Sequence, residues 1–460
     1  MIKKLSKIKI FVVFRLLFTF FFFTSFSSIY CSEVYKNDND QNRDENVQDS
    51  VSFEYYSEDF LRYGDFIYTE NIKTVLFYKS GFELSPPLIK HNSNEKLTLK
   101  FDDLDADHKS YAYTIIHCNA DWQPSGLSNY EYIDGFYDDE ITNYEFSLNT
   151  IIPYTHYTLQ FPNENIKPRL SGNYILKVYI QGYPEEVVLT RKFKIYEQLV
   201  SLEGNVTKAT LVSKRDEMQE VNFTINSSTY RISNPYQDIK VSIKQNGRTD
   251  NIIWDLKPKM VLGDKLVYEY EEKNLFEGGN EFRQFDIRSL RFATESVSDI
   301  VATHSHYEVY LLNDPRRSSM RYTFNEDING QYNIKNNDGY ESHIDSDYAW
   351  VYFSLNYPIP EENGNFYVTG ALTDWNYTSE NRMNYSFRDK KYHTSLLLKQ
   401  GYYNYQYIFL QDGSRRGSTF RAEGSHSDTE NEYSIFVYHR KPGDMHDSLI
   451  GLLHLNSGVN

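Results

Sequence analysis

Residues 171–197 read SGNYILKVYIQGYPEEVVLTRKFKIYE, and the period of this stretch decides the fold class. Tyr174, Leu176, Val178 and Ile180 recur at every second position and share one face, and Val187, Leu189, Phe193 and Ile195 share another after them. Successive side chains of an extended chain point to opposite faces, so each run predicts a half-buried β-strand. Ser171, Gly172 and Asn173 open the first run, and Gly182, Tyr183 and Pro184 separate it from the second as a turn signal. Strands with one apolar face need a second sheet to cover that face, which predicts a β-sandwich.

The same alternation extends outward in both directions. Leu97, Leu99 and Phe101 precede the opening stretch, and Pro124, Ser125 and Gly126 mark another turn. Beyond Glu197 come Val221, Phe223 and Ile225, then Ile239, Val241 and Ile243, and later Val309 and Leu311. A further region begins with a strand over 349–355 and continues through Phe366, Val368 and Gly370. No segment has the length and 3.6-residue period of a long helix. With 41 Tyr and 30 Phe, the chain is rich in residues that suit a pleated, half-covered surface. A chain of 460 residues exceeds what one core can organise. The expected fold is all-β, with tandem immunoglobulin-like β-sandwich domains over 61–197, 198–330 and 331–460. The first boundary follows a composition change near Leu202 to Val206, and the second lies in the polar stretch from Asn325 to Asp347, read as a linker.

The first 31 residues read as a signal peptide: Lys3, Lys4, Lys7 and Lys9, an apolar run from Ile10 to Phe23 broken by Arg15, and then Ser25, Ser27 and Ser28. A lipoprotein signal would make Cys31 the acylated residue, but Tyr30 stands where such signals carry a small one. Residues 32–60 begin SEVYKNDNDQNRDENVQDS and are expected to form a disordered acidic linker. Removal of the leader leaves Cys118 as the sole thiol, so no intramolecular disulfide is expected. The formal charge of −16 becomes more negative when the basic leader is lost. That charge argues against nucleic acid, an anionic membrane surface or direct lipid insertion as partners.

Several groups of residues invite chemical readings. Asp103, Asp105 and Asp107 open like a calcium loop, but His108 and Thr114 stand where the tight-turn Gly and the bidentate Glu belong, so a turn is expected. His117 and Cys118 are neighbours on a strand and point apart, which prevents a thiol–imidazole dyad. With Asn119, Asp121 and Trp122 they are expected to be structural: a buried strand leaving the core into a loop whose indole covers the sandwich end. His304 and His306 would share a strand face, yet no further ligand completes a metal set. No nucleophile elbow, phosphate loop or HExxH is present. The expectation is a non-enzyme without metal or cofactor. Trp375, Tyr377, Tyr402 and Tyr403 would stack on sugars if exposed together, whereas the alternation of Tyr403, Tyr405 and Tyr407 suits core packing.

FDDLDAD (101–107), HCNADW (117–122), EYIDGF (131–136), YTHY (154–157), FPNEN (161–165) and SGNYILKV (171–178) together resemble the first domain of the plug proteins of the bacterial type IX secretion system, in the family's order. The resemblance covers roughly residues 60–200. It implies a non-enzymatic stopper, seated from the periplasm in a large protein-conducting barrel of the outer membrane in a Bacteroidetes-type bacterium. Loops on a rigid sandwich are where binding residues usually lie. The loop from Trp122 to Tyr137, with Tyr130, Tyr132 and Phe136, is therefore the candidate contact with the barrel, and core-edge packing is its equally weighted alternative. ALTDWNY (371–377) and LLLKQGYYNYQYIF (396–409) resemble early-set immunoglobulin-like modules related to glycogen-binding domains. They support the alternative of a secreted or surface carbohydrate-binding protein.

Overall fold

The computed structural model describes residues 61–458; the expected signal peptide and the whole acidic linker lie outside them. The chain is all-β, built as tandem β-sandwiches, with helices of no more than one turn among the described residues. In the first sandwich, one sheet runs Phe66–Ile67, Tyr183–Tyr196, Gly172–Ile180, Tyr111–Cys118, Asp138–Glu140. The facing sheet runs Ile72–Lys79, Leu97–Asp103, Thr155–Phe161, Asn143–Phe146. Tyr174 lies opposite Phe193 on one side and His117 on the other, and Val178 opposite Leu189 and Tyr113. Tyr174, Leu176, Val178, Leu189 and Phe193 meet Leu97, Leu99 and Phe101 in one core.

The alternation understates burial at the centre of this sheet. Asn173, Ile175 and Tyr179 point away from the first core and are also buried, because other parts of the chain cover the outer face.

The second and third sandwiches depart from the expected boundaries at 198, 330 and 331. Strands Ser201–Lys208, Met218–Asn226, Lys265–Tyr268 and Met260–Leu262 form one layer. Its partner layer joins Ile239–Gln245 to Glu432–His439 and Ser448–Asn456, taken from the far end of the chain. Val221, Phe223, Ile225, Val241 and Ile243 accordingly pack with Tyr433, Ile435, Val437 and Ile450. Residues between these two groups of strands build the third sandwich. Val297–Ala302, Tyr307–Leu311, Tyr348–Asn356, Lys391–Lys399 and Asn384–Ser386 form one sheet, and Gly401–Gln411 is central to the other. Val309 and Leu311, expected in the second domain, share a core with Val351, Phe366 and Tyr407. The stretch from Asn325 to Asp347 is not a plain linker, since it contains the strand Tyr332–Ile334 and the one-turn helix Ser342–Asp345. Alternation shows which face of a strand is apolar; it carries no information on which distant strand covers that face.

Polar ties join the sandwiches. Asp347 accepts from the backbone N–H groups of Ile151 (2.6 Å) and Ile152 (3.1 Å). Arg191 pairs with Asp374 at 3.0 Å, and Asp447 accepts from the Ala120 backbone N–H at 3.0 Å.

Candidate functional site

The loop that leaves the strand Tyr111–Cys118 is fixed from beneath. Asn173 donates through Nδ2 to the carbonyls of Asn119 (3.0 Å) and Ala120 (3.1 Å). Asp121 is exposed and accepts from the Gln123 N–H at 3.2 Å, closing the turn. His117 is buried against Tyr174, edge to face at 4.8 Å between ring centres, and burial pushes its pKa down to about 4. Burial pushes the Cys118 thiol up to about 12, so it stays protonated and poorly nucleophilic at neutral pH. Trp122 is only half-buried. Its backbone is in the left-handed region at φ 67°, and its ring faces the ammonium groups of Lys192 at 4.6 Å and Lys194 at 4.5 Å. Lys194 also lies 4.6 Å from the Phe436 ring, which places its amine between two aromatic faces from different sandwiches, where burial holds its pKa well below the usual lysine value. The indole thus packs on two lysine amines whose pKa burial lowers.

Past this loop the chain makes the one-turn helix Asn129–Tyr132, where the Glu131 carboxylate accepts from the Ser128 N–H at 2.7 Å. The turn separates the three candidate contact residues. Tyr130 is 76% exposed and Phe136 66% exposed, whereas Tyr132 is 4% exposed and belongs to the first core. Tyr132 therefore cannot be a partner contact, and Tyr137, also exposed, stands beside the other two in the sequence. Gly135 at φ 109° makes the outward step possible. A Cβ there would sit 2.0 Å from the Asn165 carbonyl oxygen, which instead accepts from the Phe136 N–H at 2.7 Å.

The remaining candidates resolve locally. Lys109 is the cation of the acidic turn: its ammonium lies 3.0 Å from Asp103 and 3.7 Å from Asp107, and it also pairs with Asp105. His304 and His306 lie in the turn between Val297–Ala302 and Tyr307–Leu311, not on one strand face, and His306 contacts Glu308 at 3.4 Å. Trp375 is 8% exposed, and Tyr403, Tyr405 and Tyr407 are buried in the third core, so these rings do not form an exposed stacking platform.

One group escaped the reading of the sequence. Asp102, fully buried, accepts at 2.6 Å from each of His156 Nδ1, the Tyr348 hydroxyl and Lys399 Nζ. Asp102 and His156 come from the first sandwich, Tyr348 and Lys399 from the third. Burial alone would raise the Asp102 pKa, but Lys399 and the His156 bond outweigh it and hold the carboxyl below its usual value. Burial lowers the pKa of both His156 and Lys399 despite the nearby carboxylate. A buried ion pair gains little net stability from its own attraction, because both partners lose water. Its contacts tie Asp102 and His156 of the first sandwich to Tyr348 and Lys399 of the third.

Residues 72–197 match the family described as the type 9 secretion system plug protein, first domain. The whole fold is similar to the crystal structure of a hypothetical protein from Parabacteroides merdae, at 33% sequence identity and a TM-score of 0.84, covering 86% of this chain and 100% of that one. Among curated proteins, none matches the chain.

Proposed function

The chain belongs to the family of type IX secretion system plug proteins, and from that premise we propose that it is a non-enzymatic plug sealing the periplasmic opening of the outer-membrane translocon barrel. The match over 72–197 carries this reading. The tied sandwiches add physical support. A barrel wide enough for folded cargo needs a stopper of domain size that does not flex open, and Asp102, Asp347 and Asp374 each bridge the first and third sandwiches. Exposed Tyr130 and Phe136 offer aromatic anchors on a rigid scaffold. A seal that must release when cargo arrives calls for an interface of ordinary size, about 1,200–2,000 Å². The acidic chain would meet a less acidic barrel mouth, and association would weaken with salt. In this reading the protein is exported and works in the periplasm against the outer membrane.

The test is deletion in the native host, with outer-membrane permeability to a bulky antibiotic as readout, together with recovery of the barrel in a pull-down at two salt concentrations. Raised permeability and salt-sensitive recovery are expected. Unchanged permeability with no barrel recovered would remove the plug reading. The carbohydrate-binding alternative has lost support, because two of its four rings, Trp375 and Tyr403, are buried, and only Tyr377 and Tyr402 remain partly exposed.

A further inference from the structure

Where the edge strand Asn143–Phe146 meets the one-turn helix Ser342–Asp345, side chains of two sandwiches converge in a cleft of about 160 Å³ lined by Lys100, Asn143, Glu145, His156, Thr158 and His343. One potential ligand atom from each of Glu145, Glu341 and His343 lies within 4.8 Å of the other two. His343 Nε2 is 2.6 Å from Glu145 Oε2. Three such groups on a surface do not by themselves make a site, but a fourth residue changes the reading. His156 is 6% exposed, and its Nε2 has no hydrogen-bond partner although its Nδ1 is bonded to Asp102 at 2.6 Å. An ionised carboxylate only accepts, so Nδ1 carries the proton and Nε2 presents a bare lone pair. A carboxylate behind one ring nitrogen with the other nitrogen free is the arrangement that orients metal-binding histidines.

We propose that Glu145, Glu341 and His343 form a site for one divalent cation of the zinc class, with His156, which lies outside that 4.8 Å group, closing in through Nε2 as the fourth ligand when the cation binds. The mixed nitrogen and oxygen donors suit zinc better than calcium or magnesium, which take oxygen ligands. The His156 and His343 ring centres are 5.4 Å apart. Two imidazoles bound through nitrogen to one tetrahedral zinc, with bonds of about 2.0–2.1 Å, have ring centres about 5 Å apart. The segment carrying His343 is held in place already: its carbonyl accepts from Lys399 Nζ at 2.8 Å and the Tyr154 hydroxyl at 3.2 Å. Lys100, the cation in the cleft, is paired with Glu83 at 3.6 Å. Binding would replace the direct Glu145–His343 bond by two metal bonds and clamp the edge of the first sandwich to the third. The inference stands apart from the plug reading.

The experiment is calorimetric titration of zinc ion into the whole chain after chelator treatment and removal of the chelator. Cobalt substitution reports tetrahedral geometry through its visible absorption. One equivalent is expected to bind, with affinity reduced at least tenfold in His343→Ala and in Glu341→Gln. The second variant leaves the Glu145–His343 bond intact and so separates loss of a ligand from loss of folding, which circular dichroism monitors. A His304→Ala/His306→Ala double variant is expected to bind like the parent. Absence of a saturable equivalent, parental affinity in Glu341→Gln, or an equal loss in the double variant would overturn the proposal.

Discussion

The Tyr438 hydroxyl donates to Asn173 Oδ1 at 2.9 Å, joining two buried residues 265 positions apart. Asn173 opens the central strand of the first sandwich, and Tyr438 lies on a late strand of the second. The Asn173 amide is fully used, since its Nδ2 holds the two carbonyls of the Asn119–Ala120 loop. Asn173→Ala leaves the hydroxyl and both carbonyls without that partner and is expected to cost about 3 kcal/mol, against about 1 kcal/mol for Tyr438→Phe. Urea unfolding of the two variants measures the difference, and equal costs would show that water replaces the amide.

Trp122 shields Lys192 and Lys194 from one side while its own ring stays half-buried. Trp122→Ala is therefore expected to cost about 2 kcal/mol, less than the loss of a fully buried indole. Trp122→Phe should recover part of it. A loss above about 4 kcal/mol in a thermal or chemical melt would mean that the ring is a core element.

The separation of Tyr130 and Phe136 from Tyr132 gives a test of the binding loop. Tyr130→Ala and Phe136→Ala should leave the melting temperature near that of the parent, because surface substitutions shift stability little, and should reduce recovery of the barrel in a pull-down. Tyr132→Ala, which empties a core position, should instead destabilise by about 3–5 kcal/mol. Full barrel recovery by the Tyr130→Ala/Phe136→Ala double variant would move the contact elsewhere.

His117 sets a pH dependence. Its pKa is about 4 in the folded protein, lowered by burial, and about 6.5 when unfolded. Below pH 6.5 the unfolded chain takes up a proton that the native state refuses. The neutral ring's contribution is thus complete above about pH 6.5 and is lost as pH falls toward 4, amounting to about 3 kcal/mol. His117→Phe should flatten that part of the stability profile relative to the parent. Parallel profiles of the two proteins would show that His117 is not the titrating group.

Much of this architecture could be read from period two. Tyr174, Leu176 and Val178 alternate toward a single core, and the fold class follows from that. What escaped was pairing at long range: the strand Ile239–Gln245 takes its neighbour from Glu432–His439, and nothing local to either announces the other. Tyr130 and Tyr132 look alike in the sequence, but they sit on a helical turn, where a spacing of two places side chains on different faces. Asp102 escaped for a different reason. A carboxylate on a strand reads as facing water, and only the third sandwich, bringing Lys399 and Tyr348, shows that it does not.

The interleaving of the second and third sandwiches fixes an order of events during synthesis. Val221, Phe223 and Ile225 emerge early, yet Ile435, Val437 and Ile450, which share their core, arrive only after the whole intervening sandwich has been made. Until then the nascent chain carries an uncovered greasy sheet of the kind that chaperones and proteases recognise. A copy cut short before those last strands would lack both that cover and Tyr438, the partner of Asn173. Closure of the second sandwich thus waits for residues 432–456, and the earlier strands stay exposed to those factors for as long as the intervening sandwich takes to be made.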